Sequence, residues 1–384
     1  MAMPVRVTVK PQLLNWARSR SSLSVADLRP RFPKLEEWES GALQPTLKQL
    51  EDFANATHTP IGMLFLSEPP SEPVPIPDFR TMANRAISRP SPNLLDTVYL
   101  CQQRQEWFRD FEKSSGAQPL SFVGSLSAAD DVVQAANQMR QALDFSVESR
   151  RQYASWTEAL RALREHAEDL GVLVMVSGVV GSNTHRALDP SEFRGFALAD
   201  ELAPVIFING ADTKAAQIFT LAHELAHVWL GQTALSNSTI DSTVGNAVER
   251  WCNRVAAEFL VPVLAIRGEY RPGGDLVEEL ERLARRFRVS TLVILRRIKD
   301  AGGALPAAYG DLYDAELRRV IALRPAGSGG DFYNTQPVRV SKKFARAVIT
   351  STLEGQTLYN EAFRLLGFKK QSTFQELAQS LGVL

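Results

Sequence analysis

Apolar positions recur along this chain in two rhythms, a helical one at both ends and a mixture of helix and strand in the middle. Residues 8–67 read as short helices. PQLLNWARSR is periodic, SVADLRPRF opens on a serine cap, PKLEEWESG stops at a glycine, and TLKQLEDFANAT carries apolar residues at helical spacing ahead of PIGMLFL. The proline-dense SEPPSEPVPIPDFR that follows has to be extended, as a linker or as an arm laid over a neighbour. Residues 95–113 and 128–146 predict helices of a spacer. WTEALRALREHAEDLG predicts an amphipathic helix ending at Gly171, and VLVMVSG, FRGFALAD and APVIFING predict three strands before the next helix. Beyond Pro262 come DLVEELERLARRFRVSTLVILRRIKDAGG, a glycine-rich loop at 327–330 and a largely helical tail. The pattern predicts an α+β, mostly helical protein in four segments: a helical domain at 1–68, an arm at 69–94, a domain with a small sheet at 95–270, and a helical region at 271–384.

Composition narrows this picture without changing it. Forty-five per cent of the 384 residues are hydrophobic and 22% charged, as in soluble globular chains. Forty-three basic and 43 acidic residues cancel, so no global field draws the chain to nucleic acid or an anionic membrane. Two cysteines, Cys101 and Cys252, without framework spacing argue for a reducing compartment. The N-terminus has no apolar run resembling a signal peptide, and GVLVMVSGVVG is too short to span a bilayer. Cytoplasmic location without membrane contact is the expectation.

The candidate chemistry lies in FTLAHELAHVWLG, residues 219–231. On a helix, residues four apart share a face, so His223 and His227 aim two imidazoles at one point, as zinc requires. Glu224, about 100° around the helix from His223, can touch a water at the metal without ligating the metal itself. A catalytic zinc takes a third protein ligand and keeps one position open. AVERWCNRVAAEFLVP supplies a second helix, on which Glu249 and Asn253 share a face while Glu258 falls on the opposite side. Glu249 is the predicted third ligand, with Asn253 accepting a hydrogen bond from a ligand imidazole. Asp241, in a polar loop, is the weaker alternative ligand.

FTLAHELAHVWLG followed by ERWCNRVAAEFLVP resembles the ImmA/IrrE metallo-endopeptidases, gluzincin-like zinc enzymes, with Cys252 where that family has alanine. The PIPDFRT arm, the strand APVIFING and an N-terminal XRE-like helix-turn-helix over residues 12–67 also resemble members of the family. The resemblance implies a zincin-like domain with one Zn2+ per chain, and an intracellular endopeptidase whose substrate is a transcriptional repressor or similar regulator in a stress, phage or toxin–antitoxin-like response. Zinc would acidify a bound water, Glu224 would take its proton and pass one to the leaving amine, and His185 is a candidate donor to the developing oxyanion. His58 and His166 have no supporting context. The competing reading, from another class, is a DNA-binding regulator whose peptidase fold senses metal or docks a partner.

Two segments bear on DNA. Residues 1–70 hold eight basic and seven acidic side chains, and Glu36, Glu37 and Glu39 on the expected recognition helix would meet phosphate with like charge. DNA binding and protein docking or homodimerisation both remain open for that module. ELERLARRFRVSTLVILRRIKDAG also resembles a helix-turn-helix, with seven basic residues and one acid between 281 and 299. Arg285, Arg286, Arg288, Arg296, Arg297 and Lys299 are its candidate DNA contacts, against the plainer reading of a basic surface packed on the protease.

Overall fold

The computed structural model describes residues 5–21, 23–78, 90–236, 247–322 and 332–384. The chain divides into two compact units, Met1–Pro75 with Ala86–Val98, and Ile76–Arg85 with Tyr99–Leu384.

The first unit is built from α1 (Pro11–Arg20), α2 (Val25–Leu28), α3 (Leu35–Glu39), α4 (Leu47–Ala56) and a 3-10 turn at Ile61–Phe65. Local chemistry sets three of the starts: Pro11 opens α1, while Ser24 with Asp27 and Thr46 with Gln49 form reciprocal capping boxes on α2 and α4. Leu13, Leu14, Leu35, Trp38, Leu50 and Phe53 meet in one buried core. The proline-dense segment contains no helix or strand over 67–77. Its Glu72 carboxylate takes a two-pronged ion pair from Arg20, at 2.5 and 2.9 Å, so this part of the arm is laid against its own domain.

Residues 92–114 form the long helix α5 (Pro92–Ser114). In the second unit, α6 (Val132–Ala142), a 3-10 turn at Ser149–Gln152 and α7 (Trp156–Asp169) lead into the sheet. Among the described residues four strands pair in the order β1-β3-β2-β4: β1 (Leu173–Ser177), β2 (Gly195–Leu198), β3 (Val205–Asn209) and β4 (Ala234–Ser236). β1 and β3 run parallel, with Met175 opposite Phe207, and β2 pairs antiparallel with both β3 and β4. Every residue of β1, β2 and β3 is buried, which explains their unbroken apolar runs. At the sheet edge the Leu235 amide donates to the Pro77 carbonyl at 2.9 Å, and Asp78 bridges Leu235.

α8 (Lys214–Trp229) begins where Thr213 caps the Ala216 amide and crosses the sheet. All its residues from Gln217 to Trp229 are buried, so this is an interior helix rather than an amphipathic surface one. α9 (Ala247–Leu260) packs beside it, followed by α10 (Val263–Glu269), α11 (Leu276–Phe287), α12 (Thr291–Asp300) and α13 (Tyr309–Ala322). Leu280, Leu283, Phe287, Val293 and Leu295 of α11 and α12 enter the same core as Phe219, Leu225 and Phe259. The segment expected to begin at 271 therefore shares its core with the helix bearing the histidines. α14 (Phe332–Val340), α15 (Lys342–Leu353), α16 (Tyr359–Leu366) and α17 (Gln371–Ser380) complete the chain, with α14 packed along β1. The glycine-rich loop at 327–330 lies outside the described residues. Among those described, no helix is long and apolar enough to cross a membrane.

Candidate metal centre

Five polar side chains of α8 lie in the core: Gln217, Thr220, His223, Glu224 and His227, the last three with no exposed surface. Burying such groups without partners costs several kcal/mol. Most of that cost has to be met at one point in the structure.

His223 and His227, one turn apart, converge there. Their Nε2 atoms are 3.1 Å from each other. Glu249 reaches across from the first turn of α9, with Oε2 3.3 Å from His223 Nε2 and Oε1 3.0 Å from His227 Nε2. Metal–ligand bonds of about 2.0–2.1 Å in a tetrahedron imply ligand–ligand edges of about 3.3 Å. The three observed separations therefore have the dimensions of one face of such a tetrahedron. Two imidazole nitrogens and a carboxylate also form a zinc-type donor set, so the residues present fit a divalent ion. Among the described residues this is the cluster of His, Cys, Asp and Glu side chains able to hold a metal.

The electrostatics follow from this proximity. Burial disfavours charge on His223, but Glu249, Glu224 and the Asn253 amide together raise its pKa. For His227 burial prevails, and the pKa falls. Glu249 is also desolvated, yet the two imidazoles hold its carboxyl well below the usual carboxylate range. The atoms that set these shifts, two imidazole nitrogens and a carboxylate, are the ones a divalent cation would take as ligands.

Glu224 sits on the same helix with its carboxylate against β2. A Cβ placed on Gly195 would lie 3.3 Å from Glu224 Oε1, 2.8 Å from the Phe207 carbonyl and 2.6 Å from Thr220 Cγ2. Glycine at 195 is therefore what lets the Glu224 turn of α8 rest directly on the strand. Gly195 is not among the candidates named from the sequence, although its signal, a glycine inside an apolar strand, marks close approach.

The other candidates are placed differently. Asn253 is buried one turn after Glu249, beside His223. Glu258 is turned away from the cluster and pairs with Arg297. His185 is exposed on the turn between β1 and β2, with its amide bonded to the Asn183 side chain, and is not a member of the metal cluster. Asp241 lies outside the described residues.

The six basic residues expected on one DNA-facing surface are distributed otherwise. Arg297 is only 4% exposed. Arg286 pairs with Glu269, Arg288 donates to the Tyr153 carbonyl, Arg296 pairs with Asp300 and Lys299 lies 3.8 Å over the Tyr309 ring. Arg285, pairing with Glu281 at 3.6 Å, is the most exposed arginine of α11. α11 and α12 do meet through a tight turn at left-handed Arg288, as a helix-turn-helix would. However, Thr291–Leu295, Arg297 and Ile298 are all buried. The part of α12 that reaches the surface is formed by Arg296, Lys299 and Asp300.

Comparison with known families agrees with this geometry. Residues 167–299 match the peptidase M78 family model, described as an IrrE N-terminal-like domain, from the end of α7 to the end of α12. The match supports an ImmA/IrrE-type, metal-dependent peptidase domain over that stretch, about a third of the chain. Residues 340–380 match a domain of unknown function. No curated protein matches the chain.

Proposed function

We propose that this chain is a zinc-dependent endopeptidase of the ImmA/IrrE type that cleaves an intracellular transcriptional repressor or similar regulatory protein. The observation that carries the reading is the triangle of His223, His227 and Glu249, with edges of 3.0–3.3 Å beside Glu224 in a buried helix. His223 Nε2, His227 Nε2 and the Glu249 carboxylate would hold one zinc ion. When bound, zinc supplies Lewis acidity and lowers the pKa of a coordinated water. Glu224, buried against Gly195, takes the proton of the attacking water and delivers one to the departing amine. Asn253 and the α9 backbone orient the ligands that this chemistry needs. His185 is left without a catalytic part in this proposal.

The rival reading, a DNA-binding regulator on a peptidase scaffold, loses Arg297 of α12, which is buried against Glu258, and finds Arg296 paired with Asp300. The deciding experiment pairs metal analysis of the purified protein with cleavage of candidate repressors by wild type and Glu224→Gln. Stoichiometric zinc in both, with cleavage reduced by roughly 10²- to 10⁴-fold in the variant, is the expected result. A protein that purifies and reconstitutes without zinc, or a variant that cleaves as fast as wild type, would overturn the proposal.

A further inference from the structure

The end of α9 remote from Glu249 carries an unusual set of partners. An α-helix leaves its last carbonyls without intrahelical donors. Here Arg140 Nη1 donates to the Glu258 carbonyl at 2.6 Å and to the Phe259 carbonyl at 3.1 Å. Arg150 Nη2 donates to the Leu260 carbonyl at 2.5 Å, and Arg297 Nε to the Val261 carbonyl at 2.8 Å. The three guanidiniums come from α6, the Ser149–Gln152 turn and α12.

They are tied to one another's surroundings as well. Arg297 pairs with the Glu258 carboxylate and, at 3.0 Å, with Asp300. Glu258 in turn accepts the Val263 amide at 3.2 Å. Through Nη1, Arg150 also holds the Phe287 carbonyl at the end of α11, at 2.9 Å. Arg150 is 1% exposed and lies over the Phe145 ring.

A helix end can be closed by one glycine or by water, whereas each buried ion carries a desolvation penalty of several kcal/mol. What three arginines add is geometry. Successive carbonyls step about 100° around a helix, so donors aimed at 258, 259, 260 and 261 grip it from several sides. Guanidinium forks are planar and directional, so such a grip opposes both sliding and rotation. Glu249 lies eleven residues earlier on the same helix, about 16 Å along the axis at about 1.5 Å per residue. Rotating α9 by about 10° would move a carboxylate some 6 Å from the axis by about 1 Å, against a ligand tolerance of about 0.2 Å.

We propose that Arg140, Arg150 and Arg297 are positioning residues of the metal centre, acting at the far end of α9 to hold Glu249 in register with the two imidazoles. The inference rests on the metal-centre reading above. It gives Arg297, a residue whose type and spacing suggested DNA, a role inside the protein.

The test uses the full chain loaded with zinc or, for spectroscopy, Co2+. Arg297→Met alone leaves Glu258 buried and uncompensated, so Glu258→Met/Arg297→Met is the informative variant. Apolar replacement of a buried pair commonly preserves stability. The expectation is a fold as stable as wild type without metal, zinc binding weakened about 10- to 100-fold as for lost outer-shell support, and an altered Co2+ d–d spectrum. Arg140→Met, at a half-buried position, is the second variant, expected to shift affinity and spectrum in the same direction. If either folded variant binds zinc as wild type does and gives the same Co2+ spectrum, these arginines serve stability alone and the proposal falls. Failure of the wild type itself to bind zinc or Co2+ would overturn the metal-centre reading and this inference with it.

Discussion

Gly195 shows how one missing side chain can shape the candidate site. Its backbone φ is ordinary, so the requirement is for space: the nearest obstacles to a Cβ are the Thr220 methyl and the Phe207 carbonyl, and the latter is backbone that cannot step aside. Gly195→Ala is expected to lower stability by about 1–3 kcal/mol through overpacking and to push the Glu224 turn away from the strand. Denaturant unfolding measures the first effect. Cleavage rate at saturating zinc measures the second, and a fully active, equally stable alanine variant would show that α8 has slack here. Cys252 gives an equally local prediction. Burial, with Glu249 and Glu224 nearby, pushes its thiol pKa well above normal, and burial likewise pushes Cys101 up to about 12. A raised pKa keeps a thiol protonated, and the thiolate is the reactive form. Neither cysteine should react with a thiol reagent at pH 8 in the native protein, while both should after denaturation. Rapid native labelling of Cys252 would show that its thiol is reachable and reactive after all.

At the scale of elements, α12 illustrates how charge counted along a sequence differs from charge presented on a surface. Its arginines recur as a basic helix would have them, yet Arg297 is buried in an ion pair with Glu258, and Arg285 on α11 stands in solvent. Removing one partner of a buried pair costs about 3–5 kcal/mol, whereas an exposed pair is worth at most about 1 kcal/mol. Arg297→Ala is thus expected to destabilise strongly and Arg285→Ala by less than about 0.5 kcal/mol, as judged by urea midpoints. Equal effects would mean that the buried pair is not held as described. It follows that any DNA binding lost on mutating Arg297 would report altered folding before it reported a lost phosphate contact.

Among the described residues each compact unit has a hydrophobic core of its own, and the candidate metal ligands belong to the second unit. A ligand that binds only the native state stabilises by mass action, about 2.7 kcal/mol at a free concentration a hundredfold above Kd. Calorimetry of the full chain should therefore show two transitions, of which chelation lowers one. A single transition, or equal shifts in both, would show that the cores unfold as one.

Much of this was legible from residue order, because it depends on neighbours within a few positions. The i,i+4 spacing of His223 and His227, the cap at Ser24, and the apolar runs of β1 and β3 are local facts, set by helix and strand geometry. The face shared by Glu249 and Asn253 is equally a matter of periodicity. Tertiary structure alone decided how far Glu249 lies from each imidazole, since that depends on how α8 and α9 cross. It also decided that α11 and α12 share a core with the histidine helix, and that Gly195 lies under Glu224. The fate of each arginine was beyond the sequence for the same reason. A guanidinium has the same spacing along the chain whether it meets water, phosphate or the last carbonyl of a buried helix, and only the packing of distant segments tells these apart.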